Sequence, residues 1–110
     1  MAAGTTSKLL FDGTTQTSES YTSSYQSCLV ALFFSDTFAD GAITFEASPD
    51  GGTTWYPVYT SDGAEVSITA VHSTCVAIDP SQMAWAGLVR LVSSVDQTDE
   101  TVIASWQRVI

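Results

Sequence analysis

Positive charge is scarce in this sequence. Lys8, Arg90 and Arg108 are its only cations against 12 acidic residues, for a formal net charge of −9. Phosphate recognition needs clustered Lys and Arg, so direct nucleic-acid binding is disfavoured. Docking on an anionic membrane surface is disfavoured for the same reason. Histidine is nearly missing. His72 is the single imidazole and no G-x-S-x-G elbow is present, so a Ser-His-acid triad has no motif to rest on. Between Val71 and Ser73, in an expected turn, His72 reads as a solvated or hydrogen-bonded structural residue. Cysteine is limited to Cys28 and Cys75. With one histidine they fall short of a zinc set, and both read as buried thiols ahead of a disulfide or a metal pair. Long apolar runs are absent. The longest, 28–34, is too short to span a bilayer. The first residues lack a basic start followed by an apolar stretch, so no signal peptide is expected and the product is expected to be made in the cytoplasm.

What is present points to β-structure. Charged residues make up 14% of the chain, against about 25% in an average soluble domain, and Ser and Thr take their place. That composition suits strands better than exposed helices. The 110 residues, 45% of them hydrophobic, fit one domain with its own core. Apolar segments are cut by turn signals every 8–12 residues or so, the mark of an all-β sandwich or barrel. The expected strands lie at 8–11, 16–22, 26–34, 42–47, 54–60, 64–69, 74–78, 88–92 and 101–110. Corners are expected at Asp12-Gly13 and across 96–100, and a single helical turn at 81–85 behind Pro80. The expectation is a flexible arm at 1–7 and one domain at 8–110. That domain is a single β-sandwich, jelly-roll or immunoglobulin-like, of about eight to nine mostly antiparallel strands.

One local motif is sharp. Ser48-Pro49-Asp50-Gly51-Gly52-Thr53-Thr54-Trp55 fits S-x-D-x-G-x-T-W and resembles the Asp-box of sialidase-type propellers and other β proteins. Asp50 is suited to accept from amides of its own turn. Gly51 and Gly52 supply backbone angles that a side chain would oppose, and Trp55 is placed to fold back over the hairpin. A single copy excludes a propeller and implies no sialidase site. Glu46, Asp50, Glu65 and Asp99 are paired-carboxylate candidates on abundance alone. Asp36, Asp40 and Asp62 are loop oxygens of the kind calcium takes, without EF-hand spacing. No catalytic residue, cofactor or metal is assigned.

The aromatics are the remaining candidates. Trp55, Trp85 and Trp106 read first as core or sheet-edge packing and second as rings that stack on a sugar or a protein. Phe33, Phe34 and Phe38 crowd one strand end, more than one core face readily takes. The expected interface residues are therefore Phe33, Phe34, Phe38, Trp85 and Trp106.

The stretch ITFEASPDGGTTWYPVY at 43–59, the following Ser61-Asp62-Gly63 turn, and the later segments 76–80 and 88–93 resemble small proteins encoded among the structural genes of tailed bacteriophages. The resemblance spans about residues 42–94. It implies a β-sandwich virion component, either a head decoration (cement) protein or a tail-associated module, and supplies no catalytic residues. The function expected is a capsid decoration protein on the outer surface of the phage head. It binds the major capsid protein and neighbouring copies of itself as a homo-oligomer, with no nucleic-acid or membrane partner. The alternative is a carbohydrate-binding or tail/fibre-associated module.

Overall fold

The computed structural model describes residues 5–24, 26–84 and 87–108. These form strands β1 (Thr5–Ser23), β2 (Cys28–Phe34), β3 (Gly41–Ser48), β4 (Tyr56–Pro57), β5 (Ser67–Ala70), β6 (Cys75–Ala77) and β7 (Gly87–Gln107), with a one-turn helix α1 (Pro80–Met83). The strands join in one antiparallel sheet of order β4-β3-β7-β2-β6, with β1 along β7 and β5 along β3. Of the described elements, none is a helix long and apolar enough to cross a membrane.

The architecture is all-β, as expected, with seven strands joined in one curled sheet among the described residues, where eight or nine strands were expected. The reason is visible at the two expected corners. Gly13 (φ 70°) and Asp99 (φ 49°) adopt left-handed backbone inside β1 and β7. The register steps there from Phe11↔Glu100 to Thr14↔Thr98. The Gly13 amide donates to the Asp99 carboxylate at 2.8 Å. The two turn signals face each other across the ribbon, so the chain bulges and bends where a reversal was expected. Segments 8–11 and 16–22 become one strand, and 88–92, 96–100 and 101–107 become another. Part of the expected arm is strand. Residues 5–7 pair with 104–106, while 1–4 lie outside the described residues.

The bend divides the sheet into two wings. Before it, β7 pairs with β3 from Ser93 to Leu88, and β3 carries β4 and β5 on its other edge. After it, β7 pairs with β2, which carries β6. The long β1–β7 ribbon runs through both wings, as corner strands do. One core lies between them, centred on Phe11, Leu29, Leu32, Ile43, Phe45 and Leu91. Each such side chain is worth roughly 1.5–3 kcal/mol when fully buried.

Side-chain alternation explains which face is buried. Ile43 and Phe45 point inward from β3. In β7 the inward set is Val89, Leu91 and Ser93 before the bend and Val102, Ala104 and Trp106 after it. That switch from odd to even positions is the one-residue shift a bulge introduces. In β2 the register skips between Leu29 and Ala31. Leu29, Leu32 and Phe34 therefore face the core, while Ala31 and Phe33 face out. Cys28 is buried beneath α1, its thiol reaching the Pro80 carbonyl at 3.6 Å. Cys75 corrects the sequence reading, because it lies opposite outward-facing Phe33 and is exposed. The two thiols are unpaired.

Two polar devices hold the ends. Asp79 caps α1 by accepting from the Ser81 amide at 3.0 Å, with Pro80 at the first helical position. At the bend, buried Gln97 donates to the Ala39 carbonyl at 2.9 Å and to Ser93 Oγ at 3.1 Å. Its Oε1 accepts from the Ala39 amide at 3.0 Å. The expected strand at 54–60 shrinks to Tyr56–Pro57, since Pro57 has no N–H to extend the ladder.

Candidate interaction surfaces

The Asp50 turn is built from its own side chains. The Ser48 hydroxyl donates to Asp50 Oδ1 at 2.8 Å and accepts from the Gly52 amide at 2.8 Å. Asp50 Oδ1 also accepts from the amides of Thr53 (3.1 Å) and Thr54 (2.8 Å). Gly51 and Gly52 have φ of 76° and 99°, which favour glycine. The hydrogen bonds from Thr54, above all its amide, then from Ser48 and Thr53, hold the Asp50 carboxyl down at about 2. A depressed carboxylate contributes stability that is present above its ordinary value of 3.8 and lost as pH falls toward 2. Asp50→Ala is therefore expected to lower the urea midpoint at pH 7. Its deficit relative to wild type should shrink steadily between pH 4 and about 2. A deficit independent of pH would contradict this.

Trp55 closes the hairpin. Its Nε1–H donates to the Gly52 carbonyl at 3.1 Å. The Arg90 guanidinium lies 4.3 Å over its ring and binds Glu46 Oε1 at 2.7 and 2.8 Å. Glu46 and Arg90 are cross-strand partners on the outward face of the first wing. Trp55 is thus a half-buried lid whose face is already occupied by a cation, an arrangement worth about 0.5–1 kcal/mol.

Of the five expected interface aromatics, Phe33 is exposed. Phe34 (4%), Phe38 (3%) and Trp106 (8%) are core residues, which corrects the sequence reading. Phe38 comes from the loop after β2 and packs on Phe34 (4.8 Å) and Phe11 (5.9 Å). The surplus rings thus fill one end of the core. Trp106 lies edge-on to Tyr21 at 5.1 Å and donates to Ser7 Oγ at 2.7 Å. Trp85 lies outside the described residues.

On the outer face of the second wing, Cys75, Phe33, Ile103 and Lys8 form one cross-strand row over β6, β2, β7 and β1. Phe33 and Ile103 are each 41% exposed. Ala77, Ala31, Ser105 and Thr6 make the neighbouring row, and exposed Leu10 lies beyond Lys8 on the same face. The row ends at the edge of β1 opposite β7. Glu19 blunts that edge by accepting from the Leu10 amide at 3.0 Å.

The other polar candidates are engaged locally. His72 Nδ1 is 2.9 Å from Asp40, which also accepts from the His72 amide and is held below the usual carboxylate range by that bond. Asp62 accepts from the Thr60 hydroxyl. Asp99 serves Gly13 and Glu46 serves Arg90. Among the described residues, no three metal-binding side chains gather. Burial drives the Tyr21 phenol far up and raises the Cys28 thiol, so neither is poised as a nucleophile. The sequence reading missed Tyr56 and Tyr59, the most exposed large apolar side chains described, at 57% and 53%. The signal was the Y-P-V-Y segment, in which Val58 takes the core and leaves both tyrosines outside. Comparison with protein-family models, with curated proteins and with solved structures found no match.

Proposed function

We propose that this chain is a structural accessory protein of a tailed-bacteriophage particle, a capsid decoration (cement) protein. It docks on the major capsid protein, touches neighbouring copies of itself, and occupies the outer surface of the head. The observation that carries this reading is the apolar row of Phe33 and Ile103, flanked by Ala31, Ala77 and Leu10 on one smooth sheet face. Contiguous exposed apolar surface rimmed by polar residues suits a protein partner. The resemblance over residues 42–94 supplies the kind of partner. The net charge of −9 suits a position away from packaged DNA and fits a basic docking surface. Many modest interfaces repeated by symmetry then reinforce the shell collectively. On this reading the two wings of the curled sheet serve as the layers of a jelly-roll or immunoglobulin-like sandwich.

Co-sedimentation with assembled phage heads lacking this protein tests the reading. Wild type is expected to saturate the heads. Phe33→Asp combined with Ile103→Asp is expected to weaken binding about 30-fold or more, as loss of an interface centre does. Wild type that stays in the supernatant sinks the proposal. A second reading, a carbohydrate-binding or tail/fibre-associated module, draws on a different observation, the exposed rings of Tyr56 and Tyr59.

A further inference from the structure

We propose that the hollow between the β4–β5 loop and α1 binds a neutral saccharide whose ring stacks on Tyr59, with Tyr56 extending the platform. This deepens the second reading and rests on it, and it is independent of capsid docking. Tyr59 stands between two depressions. One, of about 440 Å³, is bounded by Tyr56, Tyr59, Pro49, Pro57 and Ala47 and is mainly apolar. The other, of about 410 Å³, is bounded by Tyr59, Thr60, Ser61, Val66, Ser81 and Gln82 and is of mixed character, offering hydroxyls and an amide beside apolar surface. Both fall in the size range of small-molecule sites.

The chemistry on the two sides of Tyr59 differs in the way a sugar ring's own surfaces differ. A pyranose has a C–H face that packs on an aromatic ring and a rim of hydroxyls that need both donors and acceptors. Tyrosine suits the first role because it is a large apolar plate with a polar tip. The second hollow suits the rim. The Ser81 hydroxyl donates to Asp79 at 2.9 Å, which leaves its oxygen free to accept. The Thr60 hydroxyl is turned toward Asp62 and already accepts from the Ala64 amide at 3.2 Å, which leaves it one lone pair. Gln82 carries both a donor and an acceptor. In a chain with 12 acidic residues, none of the side chains bounding either depression is charged. Asp62 and Asp79 sit behind the hydroxyls, so a sulfated or uronic-acid glycan meets repulsion and a neutral one does not. The platform lies on the opposite wing from the Phe33–Ile103 row, so both surfaces can be occupied at once.

Affinity electrophoresis in gels containing dextran, mannan or soluble β-glucan, with alginate as the anionic control, tests this. Wild type is expected to be retarded by at least one neutral polysaccharide and not by alginate. Tyr59→Ala is expected to lose at least tenfold in affinity, whereas Tyr59→Phe, which keeps the ring, stays within about threefold. Phe33→Asp is expected to bind sugar as wild type does. Retardation of wild type and Tyr59→Ala alike places the sugar elsewhere, which overturns this site and leaves the second reading standing. No retardation in any neutral gel overturns both. Retardation by alginate, or binding of a polyproline peptide in place of the polysaccharides, overturns the assignment of ligand class.

Discussion

Replacing Phe38 by Ala should cost about 3–5 kcal/mol of folding stability, the usual loss when a large buried aromatic is truncated. Phe33→Ala, five residues earlier, should change stability by no more than about 0.5 kcal/mol, as exposed sites do. The two rings look alike in the sequence. In the structure Phe38 closes the core against Phe34 and Phe11, and Phe33 stands on the outer face beside Ile103. A small domain has roughly 5–15 kcal/mol in total, so the first loss consumes a large share of it. Urea unfolding measures both. On the docking reading, Phe33→Ala also weakens head binding, while Phe38→Ala acts on binding through unfolding alone. An unchanged urea midpoint for Phe38→Ala would contradict its place in the core.

Gln97→Leu is the second large effect, about 2–3 kcal/mol. It removes the donor and acceptor that pair with both backbone groups of Ala39 and leaves Ser93 Oγ with the Val95 amide alone as donor. The volume is nearly kept, so a lost hydrogen-bond clip, not a cavity, is what such a result reports. Amide exchange at Ala39 should accelerate more than exchange in the middle of β3. Gln97→Glu sharpens the test. A carboxylate buried there loses the donor and pays for desolvation, so its folded pKa rises above the unfolded value. Its deficit should be largest at neutral pH and should ease as pH falls through that raised pKa. Equal exchange at Ala39 in wild type and Gln97→Leu would show that the clip does not hold the loop.

Much of this was legible because strand alternation and turn chemistry act over a few residues. Ile43 and Phe45 announce an inward face by spacing alone, and the Ser48–Trp55 turn is built almost wholly from its own side chains. Asp79-Pro80 marks the start of α1 in the same local way. The misreadings share one cause. Asp12-Gly13 and the polar run at 96–100 carry real turn signals, and the backbone angles they favour do occur. Whether such a residue reverses the chain or bulges within a strand depends on what lies across from it. Here each faces the other, at a separation of 86 residues between Gly13 and Asp99. Phe34 and Phe38 were misplaced for a related reason, while Trp106 took the core place read first for it. A count of aromatics gives the amount of apolar surface, and the bend decides how much of it one core can enclose. Spacing sets Tyr59 on the face opposite Val58, but the exposure of Tyr56 and Tyr59 follows from Val58 being drawn inward, a choice made by packing against the rest of the core.

By itself the sequence determined an all-β chain, an acidic surface with three cations, and a self-contained Asp50 hairpin, because composition and hydrogen bonds within a turn need no distant partner. The tertiary structure decided that two pairs of expected strands are two long bent ones, that Phe33 faces outward while Phe38 is buried, and that Tyr59 lines both a mainly apolar hollow and one of mixed polarity. Those outcomes depend on register between residues far apart in the chain. A one-residue bulge turns every later side chain to the opposite face, and spacing along a single strand carries no record of its partner's bulge.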